Sequence, residues 1–158
     1  MNIIFDTTTV SDAVIGHRNT QAWQTHRICI VGSRDMSDRH QMHRVLSSHT
    51  FPTSATCTFI CGRAKGADRL GELWATKYMP DSPRRLYEPD WSGLGRKAGF
   101  CRNVQMASVS NEVIAFWDQT SRGTRHMLDT CHAINKHNLN KHPLRIHVYG
   151  LGGQPINP

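Results

Sequence analysis

Apolar residues concentrate in short runs, most of them followed by glycine or a small polar residue, with longer mixed stretches between them. Arg27-Ile-Cys-Ile-Val-Gly-Ser33, Thr56-Cys-Thr-Phe-Ile-Cys-Gly62 and Glu112-Val-Ile-Ala-Phe-Trp117 are nearly continuous in apolar character, the mark of strands covered on both faces. Arg84–Glu88 is a shorter strand, and Leu144–Tyr149 closes the series. The stretches between them repeat at helical spacing. Met42, Val45 and Leu46 follow a cap at Ser37 or Asp38, and Leu70, Leu73, Trp74 and Lys77 lie in a helix from about Ala67 to Tyr78. A glycine-rich loop, Pro89–Gly95, leads to a helix through Arg102–Val109, and Gly123-Thr124 opens a helix carrying Met127, Leu128, Cys131 and Ile134.

Strand and helix thus alternate throughout, which predicts an α/β protein: a Rossmann-like, doubly wound parallel sheet of about five strands. Right-handed crossovers leave 3-2-1-4-5 as the most economical strand order. Its switch point lies between the first and fourth strands, and ligands bind in such a crevice at the carboxyl ends. That rule selects Gly32–Arg34, Gly62–Asp68 and Trp117–Thr124. Residues 1–26 lack clear periodicity and are expected to form an arm or extra strand before a domain over 27–149, with 150–158 a frayed tail.

The 158 residues fit one domain, and 38% hydrophobic content with 12 glycines argues against wholesale disorder. No apolar run reaches membrane-spanning length and the start lacks a basic leader, so a cytoplasmic protein without membrane contact is expected. The five cysteines are an odd number, mostly inside apolar runs, which favours free buried thiols. Cys57-x3-Cys61 falls within a strand without a second ligand pair, and the ten histidines form no HxH or HExxH pattern. Neither a metal nor a cofactor is therefore expected, and His132, His137 and His142 are placed at the surface. The net charge of +7 suits either nucleic acid or a pocket for small phosphorylated anions. The basic residues are scattered, and no DNA- or RNA-binding signature accompanies them.

Cys61-Gly-Arg-Ala-Lys-Gly-Ala-Asp68 ends a strand and opens a helix. Gly62 and Gly66 permit close backbone approach, the helix start offers free N–H groups, and Arg63 and Lys65 add positive charge. Asp68 sits where capping explains it as well as ligand contact does. Ser121-Arg-Gly-Thr124 repeats the arrangement after the fourth strand, with Ser121, Gly123 and Thr124 as contacts, and Gly32-Ser33-Arg34 makes a third such turn. Arg102 and Asn103 belong either to the cleft or to a solvated helix face. Trp117 and Asp118 leave the fourth strand towards the cleft, and the Trp of Asp90-Trp91 either stacks a ligand or packs on its own domain. Three carboxylates, Asp68, Asp90 and Asp118, are candidates for general-base work, although no spacing demands it.

Ile30-Val-Gly-Ser-Arg34, Gly62–Leu70, Pro89-Asp-Trp91, Gly99–Met106, Ala115-Phe-Trp-Asp118 and Ser121–Met127, in this order, resemble the SLOG superfamily. The similarity covers roughly residues 27–149 and is greatest to its small stand-alone branch, related to the YspA and cpYpsA group. More distant relatives include the Lonely Guy phosphoribohydrolases, sensors of ADP-ribose-type signals and a DNA-binding branch. The resemblance implies a nucleotide-derived ligand. The phosphoribohydrolases carry PGGxGTxxE, whose glutamate takes part in cleaving the N-glycosidic bond. Here Gly123-Thr124 is kept, the Pro-Gly-Gly part is replaced, and Met127 stands at the glutamate position. Arg102 matches the arginine of their RK motif, but Asn103 follows it. Arg63 stands where the branch has glycine.

The expected function is binding of a nucleotide or nucleotide-derived signal, ADP-ribose-like or cyclic, that is sensed or sequestered without catalysis. Phosphates would meet Gly62, Lys65, Gly66, Gly123 and Thr124, with Ser33, Arg34 and Arg102 adding contacts. The alternatives are an N-glycoside or phosphoribosyl hydrolase and a nucleic-acid-binding module. Assembly with identical chains is also expected.

Overall fold

The apolar runs form strands because both of their faces are covered. The computed structural model describes residues 25–157, so most of the expected N-terminal arm lies outside the described residues. Five strands, β1 (His26–Gly32), β2 (Cys57–Cys61), β3 (Arg84–Leu86), β4 (Glu112–Phe116) and β5 (Arg145–Tyr149), form one sheet in the order β3-β2-β1-β4-β5. Every pair is parallel. This is the Rossmann-like 3-2-1-4-5 sheet expected from the alternation.

Successive residues of a strand point to opposite faces. Cys29 and Val31 of β1 with Val113 and Ala115 of β4 therefore join one core, and Ile28, Ile30, Ile114 and Phe116 join the other. The first core is closed by α4 (Ala98–Val109) and α5 (Arg122–Lys136) through Met106, Met127, Leu128 and Cys131. The second is closed by α1 (Arg39–Ser48) and α2 (Ala67–Tyr78) through Met42, Leu46, Trp74 and Ala75. Each fully buried aliphatic or aromatic side chain contributes roughly 1.5–3 kcal/mol. Asp38 caps α1 by accepting from the Gln41 N–H at 2.9 Å, and Ser121 caps α5. All five cysteines are free, four of them buried. His132, His137 and His142 are exposed. Among the described residues, no helix is long and apolar enough to cross a membrane.

Three local expectations are corrected. The buried face of α2 is Ala67, Asp68, Gly71, Trp74 and Ala75, while Leu73 is exposed, because close packing on β1 needs the small residues. At Gly71 a Cβ would come within 2.5 Å of Ile30. The loop after β3 holds a single helical turn, α3 (Trp91–Leu94), and α4 begins at Ala98, since Gly93, Gly95 and Gly99 dilute the pattern without breaking it. The tail is not frayed. Residues after β5 turn back along that edge strand, with Ile156 N–H donating to Val148 O at 2.9 Å and Tyr149 bridging Pro155 antiparallel. The return satisfies backbone groups that an edge strand otherwise exposes.

Candidate functional site

The chain leaves β1, β2 and β4 at the same end of the sheet, and these exits border a cleft of about 640 Å³. Gly32 ends β1 against β4: a Cβ there would stand 2.1 Å from the Phe116 carbonyl oxygen. Its N–H donates to Asp68 Oδ1 at 3.2 Å. Gly66, at φ 88°, brings the start of α2 so close to the β1 exit that a Cβ would lie 2.3 Å from Ser33 O. Ala67 N–H then donates to that oxygen at 3.2 Å.

Asp68 forms part of the cleft wall at 4% exposure. Burial raises its carboxyl to about 6, although the Arg102 guanidinium and the Gly32 and Ala64 N–H groups pull the other way. Arg102 donates to the Gly62 carbonyl and lies 3.9 Å from Asp68 Oδ2. Gly62 must be glycine for this, since a Cβ would fall 2.5 Å from the guanidinium and 2.7 Å from the carboxylate. Asn103, buried, donates from Nδ2 to Gly123 O at 3.0 Å and so ties α4 to the first turn of α5. In that turn Ser121 Oγ accepts from Thr124 Oγ1 at 3.0 Å. A Cβ on Gly123 would meet nothing within 4 Å.

Among the described residues, Arg34, Arg63, Lys65, Arg96 and Arg102 line the cleft against two carboxylates, Asp68 and Glu88. Arg63 is held by Glu72 and Glu88 at 3.5 and 3.6 Å. It adopts φ 56°, a left-handed conformation that glycine takes more readily. Arg34, Lys65 and Arg96 are exposed and make no ion pair among the described residues. Trp91, 58% exposed, and Phe100 add aromatic surface, and the Phe100 ring stacks on His126 at 4.3 Å. The arrangement is cationic and open, with an aromatic rim and one buried carboxyl.

Of the residues singled out from sequence, Gly32, Arg34, Gly62, Arg63, Lys65, Asp68, Arg102, Asn103, Ser121, Gly123 and Thr124 border this cleft. Five do not. Ser33 is buried, its hydroxyl accepting from Asp118 N–H at 3.1 Å, and Gly66 serves the helix start. Trp117 packs in the core and donates to Ser121 O at 3.3 Å, with Arg125 over its ring. Asp118 accepts from Thr120 and Ser121 N–H at 2.9 and 2.7 Å, closing its own turn. Asp90 caps α3, accepting from Gly93 N–H and Ser92 Oγ, both at 2.8 Å, and these bonds hold its carboxyl below the usual range. Asp68 alone of the three candidate carboxylates borders the cleft.

Sequence reasoning missed Arg96, Phe100 and Glu88, and weighed Trp91 without choosing it. Gly99, Phe100 and Asn103 share one face of α4, and Arg96 lies in the tight turn just before it, a signal hidden because the sequence predicts a later helix start. It also missed His49, Glu112 and His147, whose ligand-type atoms gather at the opposite end of the sheet within 4.8 Å of one another.

Fold and cleft together define a Rossmann-like α/β protein with a cationic crevice at its switch point. No family model and no solved structure matches the chain. It is 31% identical over 106 residues to the Gene 61 protein of Mycobacterium phage D29, an alignment spanning 65% of this chain and 85% of that protein. The chain belongs to the family of that phage protein.

Proposed function

We propose that the cleft binds a nucleotide or nucleotide-derived signal, of the ADP-ribose or cyclic-nucleotide type, and holds it without cleaving it, as a SLOG-type sensor or sequestering protein would. The observation that carries this reading is the convergence on a cleft where two helices begin of three cations, Arg34, Lys65 and Arg96, that make no ion pair among the described residues. Helix starts and unpaired cations both favour phosphate oxygens. In this reading Lys65 and the α5 turn at Gly123-Thr124 take phosphates, Asp68 takes a ribose hydroxyl and Trp91 stacks the base. Met127, 1% exposed, borders the cleft where the phosphoribohydrolase motif has its glutamate. A thioether neither moves a proton nor stabilises an oxocarbenium ion. The nucleic-acid alternative draws on net charge alone.

One observation favours a hydrolase as the second reading: Asp68 can hold a proton near neutral pH, as a general acid or base must. Its contacts with Gly32 N–H and Arg102 also suit a purely supporting role. Incubation with ADP-ribose and nucleoside monophosphates, followed by chromatography of the mixture, separates the two. The binder returns them intact. Multiple-turnover release of free base, lost in Asp68→Asn, establishes the hydrolase instead.

A further inference from the structure

At the end of the sheet away from the cleft, Glu112 opens β4 as a buried carboxylate whose two oxygens keep different company. Oε2 lies 2.9 Å from His26 Nε2 and 3.1 Å from an Arg145 guanidinium nitrogen. Oε1 faces His147 Nε2 at 3.1 Å and His49 Nδ1 at 3.6 Å. The His147 nitrogen is buried and, among the described residues, makes no aligned hydrogen bond despite that distance. His49 Nε2 is 2.9 Å from the Tyr149 hydroxyl. When Nε2 donates to that oxygen, Nδ1 presents a lone pair on the side of Oε1; in the other tautomer Nδ1–H points to the carboxylate instead. Two imidazole nitrogens and a carboxylate oxygen thus lie within 4.8 Å of one another, able to turn lone pairs to a common cation in the right tautomers.

We propose that His49 Nδ1, His147 Nε2 and Glu112 Oε1 form a binding site for a divalent first-row transition cation, zinc foremost, with solvent in the remaining position. Two imidazoles and one carboxylate suit zinc, cobalt or nickel better than calcium or magnesium, which prefer oxygen alone. Tetrahedral bonds of ~2.1 Å set ligand atoms roughly 3.4 Å apart, a small contraction from the observed spread of up to 4.8 Å. Arg145 and Tyr149 act as the outer shell: the first holds Oε2 so that Oε1 remains for the cation, with His26 Nε2 beside both at 2.8 and 2.9 Å, and the second fixes the His49 tautomer. The Arg145 charge is the unfavourable feature, and its side chain, 60% exposed, keeps that charge in water. The cation would pin the C-terminal end of α1 to β4 and β5, a structural role remote from the cleft.

The test titrates the metal-free full-length protein with Co²⁺, followed by its visible absorption, and with Zn²⁺ by calorimetry. One ion per chain is expected, with thermal unfolding moving upward in Zn²⁺ and back in chelator. His49→Ala and His147→Ala should each weaken binding by more than the ~10–100-fold that loss of an outer-shell partner costs. Tyr149→Phe should fall within that range, and His132→Ala should change nothing. Should a histidine variant fail to fold, Tyr149→Phe carries the test. No Co²⁺ binding, or binding indifferent to His49, His147 and Tyr149, overturns the site and leaves an ion-pair cluster around Glu112.

Discussion

Asp68 shows what a single residue's environment adds to its type. In the sequence it stands in the first turn of a helix, where capping and ligand contact look alike. The structure gives the cap position to Gly66 and turns Asp68 towards the β1 exit, where it is buried. That choice depends on a tertiary contact with Gly32, which no local pattern encodes. Its carboxyl rises from 3.8 to about 6, burial outweighing the attraction of Arg102. Between those values the folded protein holds a proton that the unfolded chain has lost. Stability therefore falls as pH rises from about 4 to about 6 and levels off above, by about 3 kcal/mol for a shift of this size. Urea unfolding across that range should show the fall in the wild type and its loss in Asp68→Asn. Equal pH dependence in the two proteins would mean that Asp68 does not titrate as described.

Glycines at the strand-to-helix turns look interchangeable in sequence and are not. Gly62 makes room for Arg102 and Asp68, Gly66 allows the helix to start against β1, and Gly123 lies in the first turn of α5 with open space before it. Gly123 has helical backbone, so an alanine there stabilises the protein by ~0.5–1 kcal/mol. Gly123 also borders the cleft, with no atom within 4 Å of an added Cβ. Gly123→Ala should unfold at higher denaturant concentration than the wild type yet bind ADP-ribose more weakly; tighter or equal binding would place the ligand away from this turn. Among the elements, the three apolar strands were legible because burial on both faces leaves an unbroken signal. Hidden from the sequence were α3, the true start of α4 and the returning tail. The first two are diluted by glycines, and the third is a short return onto β5 in a segment whose glycines and prolines read as a loose end.

The strand order of the whole molecule followed from alternation and crossover handedness alone, and the cleft's position followed from the order. Membership of the cleft was harder to read. Ser33, Trp117 and Asp118 come from the expected segments, but the bends there spend them on the core and on the turn itself. The cluster around Glu112 was invisible for the opposite reason, as topology alone brings His49 and His147 beside it. The cleft gathers cations from three regions of a chain whose net charge is +7, which gives that charge a local use. Calorimetric titration of ADP-ribose into the wild type and Lys65→Ala tests the binding claim most directly. The wild type should bind one molecule per chain, and Lys65→Ala, equally stable, should bind it about ten- to over a hundredfold more weakly for a lost contact of roughly 1.5–3 kcal/mol. Equal affinity in the two proteins, or no binding in the wild type, would contradict the account.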